Sequence, residues 1–255
     1  MSRAGLTTPV SSLADDDGVA VADALPAFTD AFPFERFNRV QAATLPVLLD
    51  CDDNVVVSAP TASGKTGVAE VAICDTLQIG GTALFLAPLR ALTNEKEREW
   101  QRFEDLGYSV YVVTGERDLD PGRAARADIL VMTPEKADSA TRKHDSGRYE
   151  FVTDVDCVVV DEVHLLDSDR RGSCLEVTVA RLRQLCDPRI VALSATMQNV
   201  GEIADWLDAP DRATFDFGQA ARPVPLEADV KTYSHGENAF ADKYRRLYRA
   251  LDLAE

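Results

Sequence analysis

Residues 54–66 read NVVVSAPTASGKT, a short apolar run followed by a loop of small and hydroxyl-bearing residues. The run predicts a buried strand, and residues 65–73 predict a helix. A loop between a strand and a helix N-terminus offers backbone N–H groups and the helix dipole to a phosphate, and this loop adds a lysine and a hydroxyl. The predicted phosphate-binding residues are Ala59, Pro60, Thr61, Ala62, Ser63, Gly64, Lys65 and Thr66.

The loop departs from the strict Gly-x-x-x-x-Gly-Lys-Ser/Thr pattern at two small residues. Ala59 stands where the first glycine would be, and Ala62 occupies another small position. An ordinary Ser/Gly-rich turn ahead of a helix is therefore the alternative interpretation.

A second apolar run, residues 155–160, delivers two acids to its carboxyl end. In a parallel sheet that end lies at the same edge as a phosphate loop. A carboxylate there typically holds magnesium, and its neighbour can orient or deprotonate an attacking water. We therefore predict Lys65, Asp161 and Glu162 as catalytic residues and Thr66 and Asp161 as magnesium ligands. The alternative for an isolated Asp-Glu pair is a solvated loop.

Strand-like and helix-like segments alternate along the chain. Strands are predicted over residues 54–58, 82–86, 109–113, 128–132, 155–160 and 190–193, and further helices over 90–106, 134–144 and 173–185. This alternation predicts an α/β fold, a parallel sheet with helices on both faces. The site would then lie at the carboxyl ends of the strands, where Lys65, Asp161 and Ser194 fall.

Several blocks resemble the motifs of superfamily 2 helicases, particularly the Ski-like group with its archaeal repair and meiotic recombination helicases. The DEVH sequence at 161–164 resembles motif II of that group, and FPFERFNRVQ at 32–41 resembles its adenine-recognising Q motif. The resemblance covers roughly residues 30–230. It implies a RecA-like phosphate-loop NTPase domain that binds ATP and Mg²⁺.

The same resemblance assigns roles to individual residues. Gln41 would read adenine, and Phe34 or Phe37 could pack on the base. APLRALTNE at 87–95 and VMTPEK at 131–136 resemble motifs Ia and Ib of the nucleic-acid face, and SATM at 194–197 resembles the coupling motif III. The residues so implied in nucleic-acid binding or coupling are Pro88, Arg90, Thr133, Pro134, His164, Ser194, Ala195 and Thr196.

Six of these residues also have a simpler structural interpretation. Arg90 could be a solvated charge, and Thr133 with Pro134 could form an ordinary helix start. His164 could be a packed polar residue. Ser194 and Thr196 could cap a helix over residues 199–206.

A chain of 255 residues has room for one α/β domain and a fragment. We predict a mobile leader over 1–26, with organised structure from near Phe28. A RecA-like domain is predicted over 27–217, and a linker with an incomplete second domain over 218–255. The arginines at 245, 246 and 249 are predicted to form the charged face of a helix over 239–253. The resembling helicases use two RecA-like domains, so a second one is expected in cis or in trans.

The charge balance is strongly acidic, with a formal net charge of −16. Basic residues are mostly arginine, and this composition is typical of proteins in molar salt, where charges are screened within about 3 Å. It predicts the cytoplasm of a halophilic archaeon, although an acidic face for a protein partner is the alternative. The five cysteines show no disulfide or zinc pattern. We find no signal peptide and no membrane-spanning run, so a cytoplasmic protein without a membrane partner is expected.

Three functions are compatible with these features. The first is a helicase motor domain with a role in DNA repair, which hydrolyses ATP and binds single-stranded nucleic acid, with DNA favoured over RNA. Such a domain would be the first half of a longer helicase or a truncated paralogue. The second is a module that binds nucleotide or strand without turnover. The third is a phosphate-loop ATPase that is not coupled to nucleic acid.

Overall fold

The computed structural model describes residues 18–87, 98–113, 118–168 and 172–218, together with Ala221 and Lys243. The chain divides into two compact units, Met1–Pro223 and Val224–Glu255. Of the second unit only Lys243 is described, and it is helical; the other residues of the helix predicted over 239–253 lie outside the described residues.

Seven strands form one sheet in which every neighbouring pair is parallel. The strands are β1 Val55–Ser58, β2 Thr82–Leu86, β3 Val110–Val113, β4 Ile129–Met132, β5 Val155–Val160, β6 Arg189–Ser194 and β7 Thr214–Asp216. Their order across the sheet is β3-β4-β2-β5-β6-β1-β7. The predicted α/β fold with a parallel sheet is confirmed, and the six predicted strands all occur. The short edge strand β7 was not predicted.

Eight α-helices have both of their ends within the described ranges. They are α1 Val21–Ala24, α2 Arg39–Asp50, α3 Lys65–Gln78, α4 Gln101–Asp105, α5 Pro121–Ala124, α6 Pro134–Thr141, α7 Gly172–Leu185 and α8 Val200–Trp206. Short 3₁₀ helices span Pro26–Ala31, His144–Ser146, Glu150–Thr153, Val163–Asp167 and Asp211–Ala213. No described helix is long and apolar enough to cross a membrane.

The two faces of the sheet carry separate hydrophobic clusters. Val55 and Val57 belong to the cluster that includes residues of α2, α3 and α4, whereas Val56 belongs to the cluster with residues of α6, α7 and α8. Successive strand residues alternate between faces, so β1 contributes to both clusters. The helices therefore cover both faces, as predicted.

Ordered packing begins earlier than predicted. Val19, Val21 and Leu25 are buried, although they fall in the segment predicted to be a mobile leader. The Val21 N–H donates to the Glu35 carbonyl at 2.9 Å, and the Phe37 N–H donates to the Val19 carbonyl at 2.8 Å. These bonds join the segment to residues 35–37, a pairing that its local composition does not reveal.

Candidate nucleotide-binding site

The candidate site lies at the carboxyl ends of β5, β6 and β1, which are adjacent in the sheet. Ser58 at the end of β1 pairs in register with Ser194 at the end of β6. The Ala59 N–H, the first of the loop, donates to the Ser194 carbonyl at 3.1 Å. The phosphate loop, the acidic pair and the Ser-Ala-Thr block therefore begin at neighbouring points of one sheet edge.

The loop after β1 turns sharply before α3. Gly64 precedes α3 with φ of 89°, and Ala62 has φ of 63°, a left-handed conformation that is uncommon for a residue with a Cβ. The Ser63 N–H donates to the Pro60 carbonyl at 3.2 Å. This arrangement sets the N-terminus of a 14-residue helix at the open end of the loop.

Lys65 is folded back onto its own loop. Its Nζ donates to the Ala59 carbonyl at 2.8 Å and to the Pro60 carbonyl at 3.0 Å. Burial lowers the pKa of Lys65, while the negative charges of Glu162 and Asp161 oppose this shift. The two acids are thus close enough to act on the amine electrostatically, and an anionic phosphate would add further favourable charge.

Asn38 and Gln41 at the start of α2 attach this helix to the phosphate loop. The Asn38 Nδ2 donates to the Ser63 carbonyl, and the Gln41 Nε2 donates to the Gly64 carbonyl, each at 3.0 Å. Asn38 also caps α2, because its Oδ1 accepts from the backbone N–H of Gln41 while the Gln41 Oε1 accepts from the Asn38 N–H. The pair therefore sets both the helix start and the loop position.

Asn38 was not predicted as a site residue. The signal was present, since Asn-x-x-Gln is the spacing of a capping box. Gly64 and Gly67 leave space for the side chains of Asn38 and Gln41. A Cβ on Gly64 would overlap the amides of both Asn38 and Gln41, and a Cβ on Gly67 would overlap the Gln41 amide.

The two aromatic candidates for base packing differ in exposure. Phe37 is 2% exposed and packs edge-on against Phe32 and Phe34, so its ring is part of the core. Phe34 is half-buried and lies 3.3 Å from the position of a Cβ on Gly67. Of the two rings, Phe34 is the one with surface left beside the phosphate-loop helix.

The acidic pair follows β5 in a strained turn. Glu162 has φ of 56°, and its N–H donates to Asp161 Oδ1 at 3.0 Å. The Asp161 N–H donates to the Leu86 carbonyl at 3.0 Å, which fixes its backbone to β2. Strain of this kind costs about 1–3 kcal/mol and is found where the surrounding structure holds a residue for a task.

His164 connects the acidic pair to the Ser-Ala-Thr block. Its Nδ1 lies 3.2 Å from Ser194 Oγ, with hydrogen-bond geometry, and 3.2 Å from Glu162 Oε2. Glu162 Oε2 is buried but makes no hydrogen bond within the described part of the chain, so its contact with His164 is one of proximity only. This carboxylate oxygen therefore retains its capacity to accept a hydrogen bond.

The structure rules out the cap interpretation of Ser194 and Thr196. Helix α8 begins at Val200 with Asn199 as its N-cap residue. Ser194 is fully buried and contacts His164, whereas Ala195 is half-buried and Thr196 is exposed.

The remaining predicted residues lie apart from the loop. Thr133 is the N-cap residue of α6 and Pro134 its first residue, although the Thr133 side chain makes no capping bond. Both follow β4, which β2 separates from β5. Pro88 and Arg90 lie outside the described residues.

The donors for a metal ion are few. In the described ranges, no three His, Cys, Asp or Glu residues form a group that could hold one. Mg²⁺ usually keeps several waters and binds through one or two carboxylates plus the phosphates of its substrate. The exposed Thr66 and the half-buried Asp161 fit this pattern.

A phosphate loop on an all-parallel sheet, with an acidic pair two strands away, is the arrangement of a RecA-like domain. Comparison with protein families narrows this class. Residues 38–203 match the model described as "DEAD/DEAH box helicase", and the chain belongs to this family. Its relatives place it in the Ski-like group of superfamily 2. The matched residues include the phosphate loop and the acidic pair.

Three relatives illustrate the range of similar proteins. ATP-dependent DNA helicase MER3 homolog of Oryza sativa subsp. japonica is 36% identical over 92% of this chain and 22% of its own length. Human activating signal cointegrator 1 complex subunit 3 is 38% identical over 81% of this chain and 10% of its own length. DExH-box ATP-dependent RNA helicase DExH12 of Arabidopsis thaliana is 38% identical over 78% of this chain and 10% of its own length. The chain therefore spans only 10–22% of the length of these relatives.

Proposed function

We propose that this chain is the first motor domain of an ATP-dependent helicase, which hydrolyses ATP and binds single-stranded nucleic acid. The observation that carries the proposal is the convergence of Lys65, Glu162 and Ser194 at three adjacent strand ends, with His164 between the last two. A polar residue at one of these strand ends alone would be an ordinary surface feature.

Each side chain has a distinct task in hydrolysis. Lys65 would exchange the Ala59 and Pro60 carbonyls for phosphate oxygens, and the backbone N–H groups at the start of α3 would bind the same anion. Glu162, whose Oε2 makes no hydrogen bond in the described structure, would orient or deprotonate the attacking water. Thr66 and Asp161 would hold Mg²⁺, which would supply positive charge against the phosphates.

Nucleotide selection would depend on the start of α2. Gln41 is 4% exposed and already bonded to Gly64 and Asn38. One amide hydrogen and one carbonyl lone pair of Gln41 are not used by these two bonds, which leaves capacity for an adenine. Phe34 would supply the apolar contact with the base.

Coupling to the strand would use the second set of predicted residues. The His164–Ser194 hydrogen bond joins the acidic turn to the Ser-Ala-Thr block. We assign strand contact to Pro88, Arg90, Thr133 and Pro134, and coupling to His164 and residues 194–196. Hydroxyls, helix N-termini and arginines are the usual phosphate binders.

The wider context is also part of the proposal. The relatives are much longer than this chain, which supports a second RecA-like domain in cis or in trans. Single-stranded DNA is favoured over RNA, because the relative matched over 92% of this chain is named a DNA helicase. A cytoplasmic location, a halophilic archaeal source and a role in DNA repair rest on composition and group resemblance alone.

The proposal is tested by ATP hydrolysis in molar KCl with magnesium, without nucleic acid and with single-stranded DNA or RNA. We expect turnover that one strand type stimulates and that Lys65→Ala abolishes. Lys65-dependent binding of ATP and strand without hydrolysis would instead identify a binding module that needs its second domain. Turnover indifferent to both strands would identify an uncoupled ATPase.

A further inference from the structure

Ser58 carries a buried hydroxyl at the end of β1 that the proposed mechanism does not use. The side chain is fully buried, and its Oγ makes no hydrogen bond with any residue that the structure describes. The other three residues of β1 are valines, so an apolar residue would suit this strand. A buried hydroxyl without a partner is destabilising, and its presence in the site therefore calls for an explanation.

Ser58 lies beside Ser194 on one face of the sheet. The two residues are register partners at the ends of β1 and β6. Val56 and Ala192, two residues earlier on each strand, belong to the same hydrophobic cluster. Side chains two residues apart share a face, and neighbouring strands lie about 4.8 Å apart. Rotation about χ1 can therefore bring the two serine hydroxyls within hydrogen-bond reach of each other.

His164 lies between two possible acceptors. Its Nδ1 is 3.2 Å from Ser194 Oγ and also 3.2 Å from Glu162 Oε2. A nitrogen lone pair directed at a carboxylate would be repelled by it, so we assign the imidazole proton to Nδ1. His164 then donates to Ser194, and a small turn of its ring would transfer this hydrogen bond to Glu162.

That single rearrangement would satisfy two buried atoms at once. Glu162 Oε2 and Ser58 Oγ both lack a hydrogen bond within the described part of the chain. When His164 turns to Glu162, the Ser194 hydroxyl loses its partner and can bond to Ser58 instead. The backbone need not move, because the Ser194 carbonyl already accepts from the Ala59 N–H at 3.1 Å.

We propose that Ser58 is a positioning residue for hydrolysis, which becomes the partner of Ser194 when His164 turns to Glu162. The hydrogen bond from His164 orients the Glu162 carboxylate, which has enough lone pairs to accept from the attacking water as well. Ser58 touches neither ATP nor this water, and it acts through Ser194 and His164. The inference rests on the proposed function, because it requires that Glu162 acts in hydrolysis. It makes kcat depend on Ser58, whereas KM for ATP does not.

The test combines ATPase kinetics in molar KCl with magnesium and single-stranded nucleic acid with the melting temperature of the nucleotide-free protein. Ser58→Ala removes a hydrogen bond made only when His164 has turned, so kcat should fall about tenfold while KM for ATP stays within about twofold. The melting temperature should not fall, because the hydroxyl has no partner among the described residues before that turn.

The matched control is Thr141→Ala, which also removes a fully buried hydroxyl. The Thr141 hydroxyl donates to the Asp138 carbonyl at 3.0 Å and accepts from Arg181 at 2.9 Å. Its loss should lower the melting temperature and leave kcat unchanged, the opposite of the pattern expected for Ser58→Ala. A lower melting temperature for Ser58→Ala would show that its hydroxyl is already bonded in the nucleotide-free protein, which contradicts the proposal.

A second comparison tests whether Ser194 is the partner. In a Ser194→Ala background the Ser58 hydroxyl has lost this partner, so adding Ser58→Ala should leave kcat unchanged there. An equal loss of kcat in both backgrounds would mean that Ser58 does not act through Ser194, and the proposal would be wrong.

The remaining outcomes separate this inference from the proposed function. If the wild type hydrolyses ATP and Ser58→Ala has the same kcat, the positioning role is wrong while the proposed function stands. If the wild type binds ATP but does not hydrolyse it with either strand type, the role of Glu162 in hydrolysis fails and this inference fails with it.

Discussion

The ends of β1 and β5 lie on either side of β6 and carry charges of opposite sign. The β1 end presents a cation, and that cation is satisfied by carbonyls of its own loop. The β5 end presents two acids, and Glu162 Oε2 is buried there without a hydrogen bond in the described structure. The amine at the β1 end therefore already donates hydrogen bonds, whereas Glu162 at the β5 end has an oxygen that can still accept one.

This difference suggests a division of labour between binding and chemistry. The loop is fixed from outside by Asn38 and Gln41, so it is preorganised to receive an anion. The acidic turn is held by the bond from the Asp161 N–H to the Leu86 carbonyl and by the bond from the Glu162 N–H to Asp161 Oδ1, with Glu162 in a left-handed conformation. Substitutions at the two ends should therefore have separable kinetic effects.

The largest effect is expected at the β1 end. Lys65→Ala removes the cation that would neutralise phosphate charge, and kcat/KM for ATP should fall by roughly 10³. Binding of a fluorescent ATP analogue should weaken as well. The control is Lys143→Ala, because Lys143 lies over the Tyr149 ring at 5.2 Å, in the turn between α6 and the 3₁₀ helix His144–Ser146. ATP affinity unchanged in Lys65→Ala would contradict the assignment of the loop.

The next effect is expected at the β5 end and should be confined to turnover. Glu162→Gln keeps the size of the side chain but removes the base, so kcat should fall about 10²–10³-fold. KM for ATP should change little, because the loop is intact. Steady-state kinetics compare it with Glu202→Gln, an exposed acid on α8. Turnover near the wild-type rate would remove Glu162 from the mechanism.

Much of this site could be predicted because its signals are local. The runs before Ala59 and Asp161 are continuous and apolar, and such runs form central strands of parallel sheets. The carboxyl ends of parallel strands share one edge, so two blocks about 100 residues apart in sequence were expected to meet. The adjacency of β5, β6 and β1 follows only from the three-dimensional order of the strands.

The features that were not predicted depend on distant partners. Val19 and Val21 are buried through bonds to Phe37 and Glu35, which no local pattern announces. The strand β7 has three residues and, among the strands that the structure describes, pairs with β1 alone. Phe34 and Phe37 could not be distinguished in sequence, because both rings pack against Phe32 and only the three-dimensional packing buries Phe37 and leaves Phe34 half-buried.

A smaller effect on KM for ATP should follow from adding a side chain beside Gln41, the residue that bonds to the phosphate loop. Gly67→Ala would place a Cβ against the Gln41 amide, which must then leave the Gly64 carbonyl. Loss of that hydrogen bond should raise KM for ATP about fivefold to tenfold. Stability should not fall in proportion, since alanine is better than glycine inside a helix by roughly 0.5–1 kcal/mol.

The matched control for this substitution is Gly201→Ala in α8. A Cβ there meets nothing within 4 Å, so this substitution should stabilise the helix without any change in KM for ATP. Equal KM values for the two variants would show that the Gln41 contact does not matter for nucleotide binding.

The smallest effect is on the free energy of unfolding, and it comes from Cys157 within β5 rather than from the acids at the end of this strand. Burial raises the pKa of Cys157 from 9.0 to about 11, so the folded state keeps the thiol proton that the unfolded state releases. The free energy of unfolding should therefore be unaffected by Cys157 below pH 9 and fall as the pH rises from 9 towards 11. At pH 10 the loss should be about 1 kcal/mol. Urea unfolding of wild type and Cys157→Ala at pH 8 and pH 10 isolates this contribution, because other titrating groups cancel in the difference. An equal loss in both proteins would mean that the strand leading to Asp161 admits a thiolate and is less apolar than its packing indicates.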